Sequence, residues 1–285
     1  MKTKLTLFVT VLAVALFGVG CASVKITEEQ LQSGLVAHYL FNGNAKDASE
    51  NALHGTLGGP LPTLDRAGID GAALKFNGVS DFIVVPHSDV LNIGEGLTLS
   101  LWLRPDRWDR HLIIFGKGSS HGNNYDFTLE GEQRILGYAW MSGSQQAGVR
   151  LGSMMPVNRW FQIVVVHDSG KSLAMFVDGK KLNYTFWNKG YTVGLPRGLR
   201  GRPMWIGAGE VSGGQRGRYH YNGAMDDLRI YNRALSAEEV EAPTIWRNLK
   251  QNNYENQTHL ICHCTDCCPV YGWVCFTTRN ITPFD

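Results

Sequence analysis

From residue 22 to residue 261 the chain has no cysteine. That long stretch therefore has no disulfide and must hold itself together by core burial. Charge of one sign is also lacking. The formal net charge is +2, so bulk electrostatics gives no ground for nucleic-acid binding. The basic stretches "RGLRGR" (Arg197 to Arg202) and "RGR" (Arg216 to Arg218) read as solvated loops. Catalytic signatures are missing too: there is no G-x-S-x-G, no H-E-x-x-H and no P-loop. No amphipathic helix of useful length breaks the main part of the chain, which argues against a helical or α/β protein.

What is abundant is glycine. Thirty-three glycines spread along the chain without a collagen-like period, which suits an all-β protein with many tight turns. Hydrophobic residues make up 44%, enough to exclude a disordered chain, and 285 residues allow one sizeable core plus extras.

The N-terminus carries Lys2 and Lys4, an apolar run from Leu5 to Phe17, and small residues before Cys21. The apolar core is too short for a comfortable transmembrane helix, so residues 1–21 read as a secretion signal. Gly18, Gly20 and Cys21 resemble a bacterial lipobox, although Gly18 stands where such signals usually carry Leu or Val. The resemblance implies a lipid on Cys21 and attachment to the membrane. Ala22 is not the aspartate of an inner-membrane retention signal, which points to the outer membrane of the cell envelope. Ordinary cleavage and secretion is the alternative. Residues 22–33 are expected to form a tether.

From Leu35 to Tyr231 the chain reads as strand after strand. "TLSLWLR" (Thr98 to Arg104) puts Leu99, Leu101 and Leu103 on one face by period two. "WFQIVVVHD" and "SLAMFVDGKKL" follow, the latter with an Asp178-Gly179 hairpin signal. Such a run of short strands predicts a two-sheet antiparallel β-sandwich or jelly roll. After the last strand, "GAMDDLRIY", Ser236 and Glu239 form a capping box that predicts a short helix ending near Pro243. The domain boundary is placed there, giving a main domain over 34–242 and an extension over 243–285.

The extension carries Cys262, Cys264, Cys267, Cys268 and Cys275. Three readings stay open: a zinc knuckle using Cys264 and Cys267 with nearby histidines, disulfides in an exported protein, or a poorly ordered extension. The sequons at Asn183, Asn256 and Asn280 carry no meaning in a bacterial lipoprotein.

In order along the chain, "GLVAHYLFNGNAKDASENALHGT", "GAALKFNGVSDFIVVPHSDVL", "LTLSLWLRP", "WFQIVVVHDSGKSLAMFVDGK" and "YNGAMDDLRIYNRALSAEEV" resemble the LamG-like jelly-roll domains of the concanavalin A-like lectin and glucanase group. The resemblance covers roughly residues 34 to 241. It implies two packed antiparallel sheets, export to the cell surface, and a binding or adhesive role. It also implies that the first and last strands lie side by side, and many members carry a structural calcium ion.

Within "AMDDLRIY", period two puts Asp226 with Leu228 and Ile230 on the core face, and Asp227 on the other, facing water. A core-side Asp226 needs a cation, an arginine or several backbone donors, because an unpaired buried carboxylate is too costly. If the first and last strands are neighbours, the loop "GNAKDASENALHGT" comes close. A calcium site is then expected from Asp47, Asn51 and Asp226 with main-chain carbonyls. The alternative is an Asx-type turn for Asp47 and a capping role for Asp226. His54 is expected to pack or hydrogen-bond at the loop end, and Asp81 to cap a turn.

Laminarinase-type hydrolases share the scaffold and place their carboxylates as E-x-D-x-E on one strand. No such spacing occurs here, so no enzyme activity is expected and there are no catalytic candidates. Sugar binding uses flat aromatic rings among polar groups. Trp187, Tyr191, Tyr219 and Tyr221 sit in loop-like hydrophilic surroundings and are the ligand-binding candidates; Tyr138 and Trp140 share a face of one strand. Trp102, Trp160 and Trp205 are expected in the core. The function expected is a non-catalytic binding protein for a glycan or surface glycoprotein, with a protein-binding adhesion module as the alternative and an unusual glycoside hydrolase as the third reading.

Overall fold

A computed structural model describes residues 26–108, 111–119, 124–132, 134–142, 145–186, 201–211 and 215–241. The chain divides into two compact units, Met1–Pro243 and Thr244–Asp285. The second unit, with its cysteines, and the N-terminal residues up to 25, with Cys21, lie outside the described residues. Among the described residues no helix is long and apolar enough to cross a membrane.

In chain order the strands are β1 (Leu35–Tyr39), β2 (Thr56–Gly58), β3 (Leu61–Thr63), β4 (Ala73–Asn77), β5 (Phe82–Val85), β6 (Gly96–Pro105), β7 (Leu112–Ser119), β8 (Asn124–Glu132) and β9 (Ile135–Ser142). They continue as β10 (Gln145–Met154), β11 (Phe161–Asp168), β12 (Ser172–Val177), β13 (Lys180–Leu182), β14 (Tyr184–Phe186), β15 (Met204–Ile206), β16 (Gly209–Val211), β17 (Gln215–Arg218) and β18 (Asn222–Tyr231). Two short helices, α1 (Glu28–Gln32) and α2 (Ala237–Glu241), flank them.

The first sheet runs β13-β12-β11-β6-β18-β4-β3, and β1 also pairs with β18. The second runs β14-β10-β9-β8-β7-β15-β5-β2. This is the all-β two-sheet sandwich that the strand pattern predicts. Leu97, Leu99, Leu101 and Leu103 of β6 all enter the core, as period two requires. They meet Leu136, Tyr138 and Trp140 of β9 and Ala147, Val149 and Leu151 of β10. Tyr138 and Trp140 do share a face, but it is the inner one: they stack at 5.5 Å and are fully buried. Trp102 and Trp205 are buried yet stand outside the main apolar cluster, and Trp160 is half-buried with the Arg104 guanidinium 5.7 Å from its ring.

Turn chemistry sets several joints. Asp178 and Gly179 both take positive φ, 49° and 76°, and close the β12–β13 hairpin as a type I′ turn does. At the start of α2 the Glu239 carboxylate accepts from Ser236 N–H at 2.8 Å, while Ser236 Oγ accepts from Glu239 N–H at 3.3 Å. Within the stretch expected as a tether, Glu28–Gln32 form α1. Thr27 and Gln30 form a capping box that starts α1, and Leu31 is buried. Arg233 then ties this helix down by donating to the carbonyls of Gln30 and Ser33 at 2.7 Å each.

The long strand β18 organises the part that matters for the candidate sites. One edge pairs with β6 along its length, and the other is shared end to end by β4, opposite Asn222 to Met225, and β1, opposite Leu228 to Tyr231. The first and last strands are thus side by side. Along β6 the register steps from Asp226↔Trp102 to Arg229↔Ser100. Three steps on β18 face two on β6, which is a β-bulge, and Asp227 takes φ 55° to accommodate it.

Candidate functional site

Two assemblies of polar and aromatic side chains stand out: a buried charge cluster on β18, and a cleft at one end of the sandwich.

The bulge changes which way the aspartates point. Met225, Leu228 and Ile230 go into the core, whereas Asp226 pairs across with Trp102 on the opposite face of the first sheet. The sequence pattern put Asp226 on the core face and Asp227 in water; the extra residue in β18 breaks that alternation. Both carboxylates are buried, at 0% and 2% exposure. Arg66, from the loop between β3 and β4, reaches over them. Its Nη1 donates to Asp226 Oδ2 and its Nη2 lies 3.5 Å from Asp227 Oδ2. The guanidinium also sits 4.8 Å from the Trp102 ring centroid. Arg229 Nε donates to Asp227 Oδ1 at 3.0 Å, and His38 Nε2 is 2.8 Å from the same oxygen. Burial alone pushes the Asp227 carboxyl up, but Arg229, His38 and Arg66 together outweigh it and hold it far below the usual carboxylate range. The loop itself is fixed by Asp65, whose Oδ1 accepts from Ala67 N–H at 2.8 Å and Ile69 N–H at 2.9 Å.

Asp47 is held apart from that cluster by its own donors. Its Oδ1 accepts from His38 N–H at 2.8 Å and Ser49 N–H at 2.9 Å; its Oδ2 accepts from Leu53 N–H and Ser49 Oγ–H, each at 2.8 Å. Asn51 turns its amide nitrogen to Val36 O at 2.8 Å. Asp47 N–H donates to His54 Nδ1 at 3.1 Å, the loop-end hydrogen bond expected of that histidine. The residues expected to bind calcium do not fit the ion. Asp47 spends both oxygens on chain donors, Asn51 presents a donor to a carbonyl, and Asp226 faces a guanidinium. Among the described residues no group of three or more His, Cys, Asp or Glu side chains is arranged for a metal.

The cleft is lined by Gly78, Val79, His111, Tyr219 and His220 and has a volume of about 390 Å³. Each wall is locally fixed. In the β4–β5 turn Asn77 Oδ1 accepts from Val79 N–H at 2.8 Å and Ser80 N–H at 2.9 Å. Asp81 caps this turn as expected, its Oδ2 accepting from Asn77 N–H at 2.8 Å. Val79 is thereby left at the tip, 73% exposed. Gly78 needs to be glycine: its φ is 72°, and a Cβ there would lie 2.6 Å from Asn222 Cβ. His220 Nδ1 donates to Asp81 O at 3.0 Å. Tyr219 takes φ 60°, held by its carbonyl accepting from Ile113 N–H at 2.7 Å, and its ring is 37% exposed. The His111 ring lies 4.6 Å from it, and His111 Nε2 is 3.3 Å from Glu130 Oε2.

Of the four aromatic candidates, Tyr219 is a wall of the cleft. Tyr221 is fully buried, edge-to-face with Phe76, and donates its hydroxyl to Ala224 O at 3.1 Å; no ligand reaches it. Two positions beyond Tyr219, it stands just before β18 and takes the inward side. Trp187 and Tyr191 lie outside the described residues. Sequence reasoning gave no role to Val79 or Arg66. The turn "NGVSD" carried a signal for the former, but no local pattern pairs Arg66 with residues 160 positions away.

The fold and the arrangement of its strands define a class. Residues 77–241 match the family Laminin_G_3, described as the Concanavalin A-like lectin/glucanases superfamily, and the chain belongs to that family. No curated protein sequence matches it. Among solved structures it resembles domain 4 of AbnA, a GH43 extracellular arabinanase from Geobacillus stearothermophilus, in complex with arabinotriose. There the TM-score is 0.57 at 20% identity, over 73% of this chain and 96% of that one. It also resembles the binding domain of Paraclostridial Mosquitocidal Protein 1, with TM-score 0.57, 16% identity, and 77% and 53% of the two chains covered. A third is the binding domain of Botulinum neurotoxin DC in complex with rat synaptotagmin II, with TM-score 0.56, 11% identity, and 76% and 52% covered. The chain thus spans about half the length of the two toxin binding domains. At these identities the likeness is one of fold.

Proposed function

We propose that the protein is a non-catalytic, envelope-anchored binding protein that takes a carbohydrate in the cleft of Val79, His111, Tyr219 and His220. The observation that carries this reading is Tyr219. It is a partly exposed aromatic ring, fixed at its backbone and set 4.6 Å from the tilted His111 ring, over a cavity of about 390 Å³. A sugar lays its C–H face on such a ring, and the imidazoles and nearby backbone groups serve the hydroxyls. The family membership and the arabinotriose-bound arabinanase domain support it. Export and lipidation at Cys21 rest on the N-terminal sequence and would put the site in the cell envelope.

The test is a glycan array with the wild type and Tyr219→Ala. The expected result is binding to a restricted set of glycans that the substitution abolishes, with the unfolding free energy kept within about 0.5 kcal/mol because the side chain is partly exposed. Binding that survives Tyr219→Ala would remove the cleft from consideration. A second reading, a module for a protein partner, is favoured by Leu61 in the edge strand β3 and Leu64 just after it, which are exposed at 67% and 47%. No glycan binding, together with a partner whose capture Leu61→Lys prevents, would decide for it.

A further inference from the structure

We propose that Arg66 is a built-in cation, so that the junction of first and last strands is neutralised by a guanidinium and requires no calcium. The argument starts from charge. Asp226 and Asp227 bring two negative charges under the β3–β4 loop, and Arg66 and Arg229 bring two positive ones. Arg66 and Arg229 by themselves match the two carboxylates in charge. A divalent ion added to them would leave a net charge of two in a site where both carboxylates are almost wholly out of water.

The donor geometry agrees. Calcium needs six to eight oxygens turned towards one point. Here the oxygens of Asp226 and Asp227 meet N–H donors of Arg66, Arg229 and His38, and those of Asp47 meet donors of His38, Ser49 and Leu53. Arg66 is suited to the post by shape as well as charge. Its planar fork addresses two carboxylates at once, and its guanidinium carbon lies over the Trp102 ring, 4.8 Å from the centroid. The loop that delivers it is pre-formed by the Asp65 turn, so little entropy is lost on docking it. His38 joins the two halves of the junction: its backbone N–H serves Asp47 and its ring serves Asp227.

The test uses the full chain, followed by thermal unfolding and by terbium luminescence. Trp102 lies close enough to sensitise a Tb³⁺ ion held at Asp226. For the wild type the Tm is expected to be the same in EDTA and in excess Ca²⁺, with no sensitised emission that Asp226→Asn removes. Arg66→Ser is expected to lower Tm by roughly 10 °C, because it removes the guanidinium that two buried carboxylates share. The double variant Arg66→Ser/Asp226→Asn is expected to recover part of that loss, since one buried charge is removed with its counterion. A wild-type Tm that falls in EDTA overturns the proposal. So does Trp-sensitised Tb³⁺ emission that Ca²⁺ competes away and Asp226→Asn abolishes, or an Arg66→Ser variant as stable as the wild type. If Arg66→Ser does not fold, the EDTA and terbium measurements on the wild type still decide.

Discussion

Asp227 is the residue on which the most charge converges. Its carboxyl loses protons far more readily in the folded chain than at its ordinary value of 3.8, because Arg229, His38 and Arg66 outweigh its burial. A folded value below the unfolded one adds stability that is complete well above that ordinary value and is lost as the pH falls. Urea unfolding is therefore expected to give a lower free energy at pH 3 than at pH 7. Asp227→Asn should be destabilised at pH 7 by roughly 3–5 kcal/mol, since it leaves Arg66 and Arg229 short of a counterion. Its deficit against the wild type should shrink towards pH 3. A deficit independent of pH would mean that packing, and not the charge, is what the substitution removes.

Elements differ in what holds them. β6 is central in its sheet, with β11 on one edge and β18 on the other, and Leu101 is buried between the two sheets. Leu101→Ala should cost about 2–5 kcal/mol by chemical denaturation, from lost apolar transfer and the cavity left behind. α2 is short and depends on its cap and on Arg233, which holds Glu239 Oε1 at 2.7 Å. Ser236→Ala should cost only about 1 kcal/mol and show as faster amide exchange at the start of that helix. The bulge in β18 is a different kind of element feature. It adds no core contact of its own, yet it turns the Asp226 side chain from the core to the face that Arg66 covers. An inserted residue of this kind re-aims a side chain without altering the composition of the strand.

For the whole molecule the decisive question is where it works. If Cys21 carries the lipid that its lipobox-like surroundings imply, the protein fractionates with membranes and Cys21→Ser releases it. The intact mass of the anchored form should exceed that of the chain from Cys21 by the acyl groups. An unmodified N-terminus in the soluble fraction would make the protein secreted instead. Anchoring and ligand binding are separable: Cys21→Ser should leave glycan-array binding unchanged, and Tyr219→Ala should leave the membrane fraction unchanged.

Much of the fold could be read along the chain because its rules are local. Alternation set the inner faces of β6, Asp178-Gly179 closed a hairpin, and Ser236 with Glu239 started α2; each depends on residues within a few positions. The family resemblance added the adjacency of β1 and β18, which spacing alone does not contain. The sites were less legible. Tyr219, singled out by its hydrophilic surroundings, lines the cleft, and Tyr221, from the same four residues, is core. His111 joins the cleft from more than a hundred positions away with no pattern to announce it.

By itself, then, the sequence determined the strand faces, the turns, the helix cap and the need of Asp226 for a positive partner. Each follows from backbone periodicity or from the cost of burying a charge. The tertiary structure decided which partner that is. A bulge shifted the register by one residue, and the loop between β3 and β4 brought Arg66 to within reach of both aspartates. Contacts across 160 positions are set by how whole strands pack, and no local propensity encodes them.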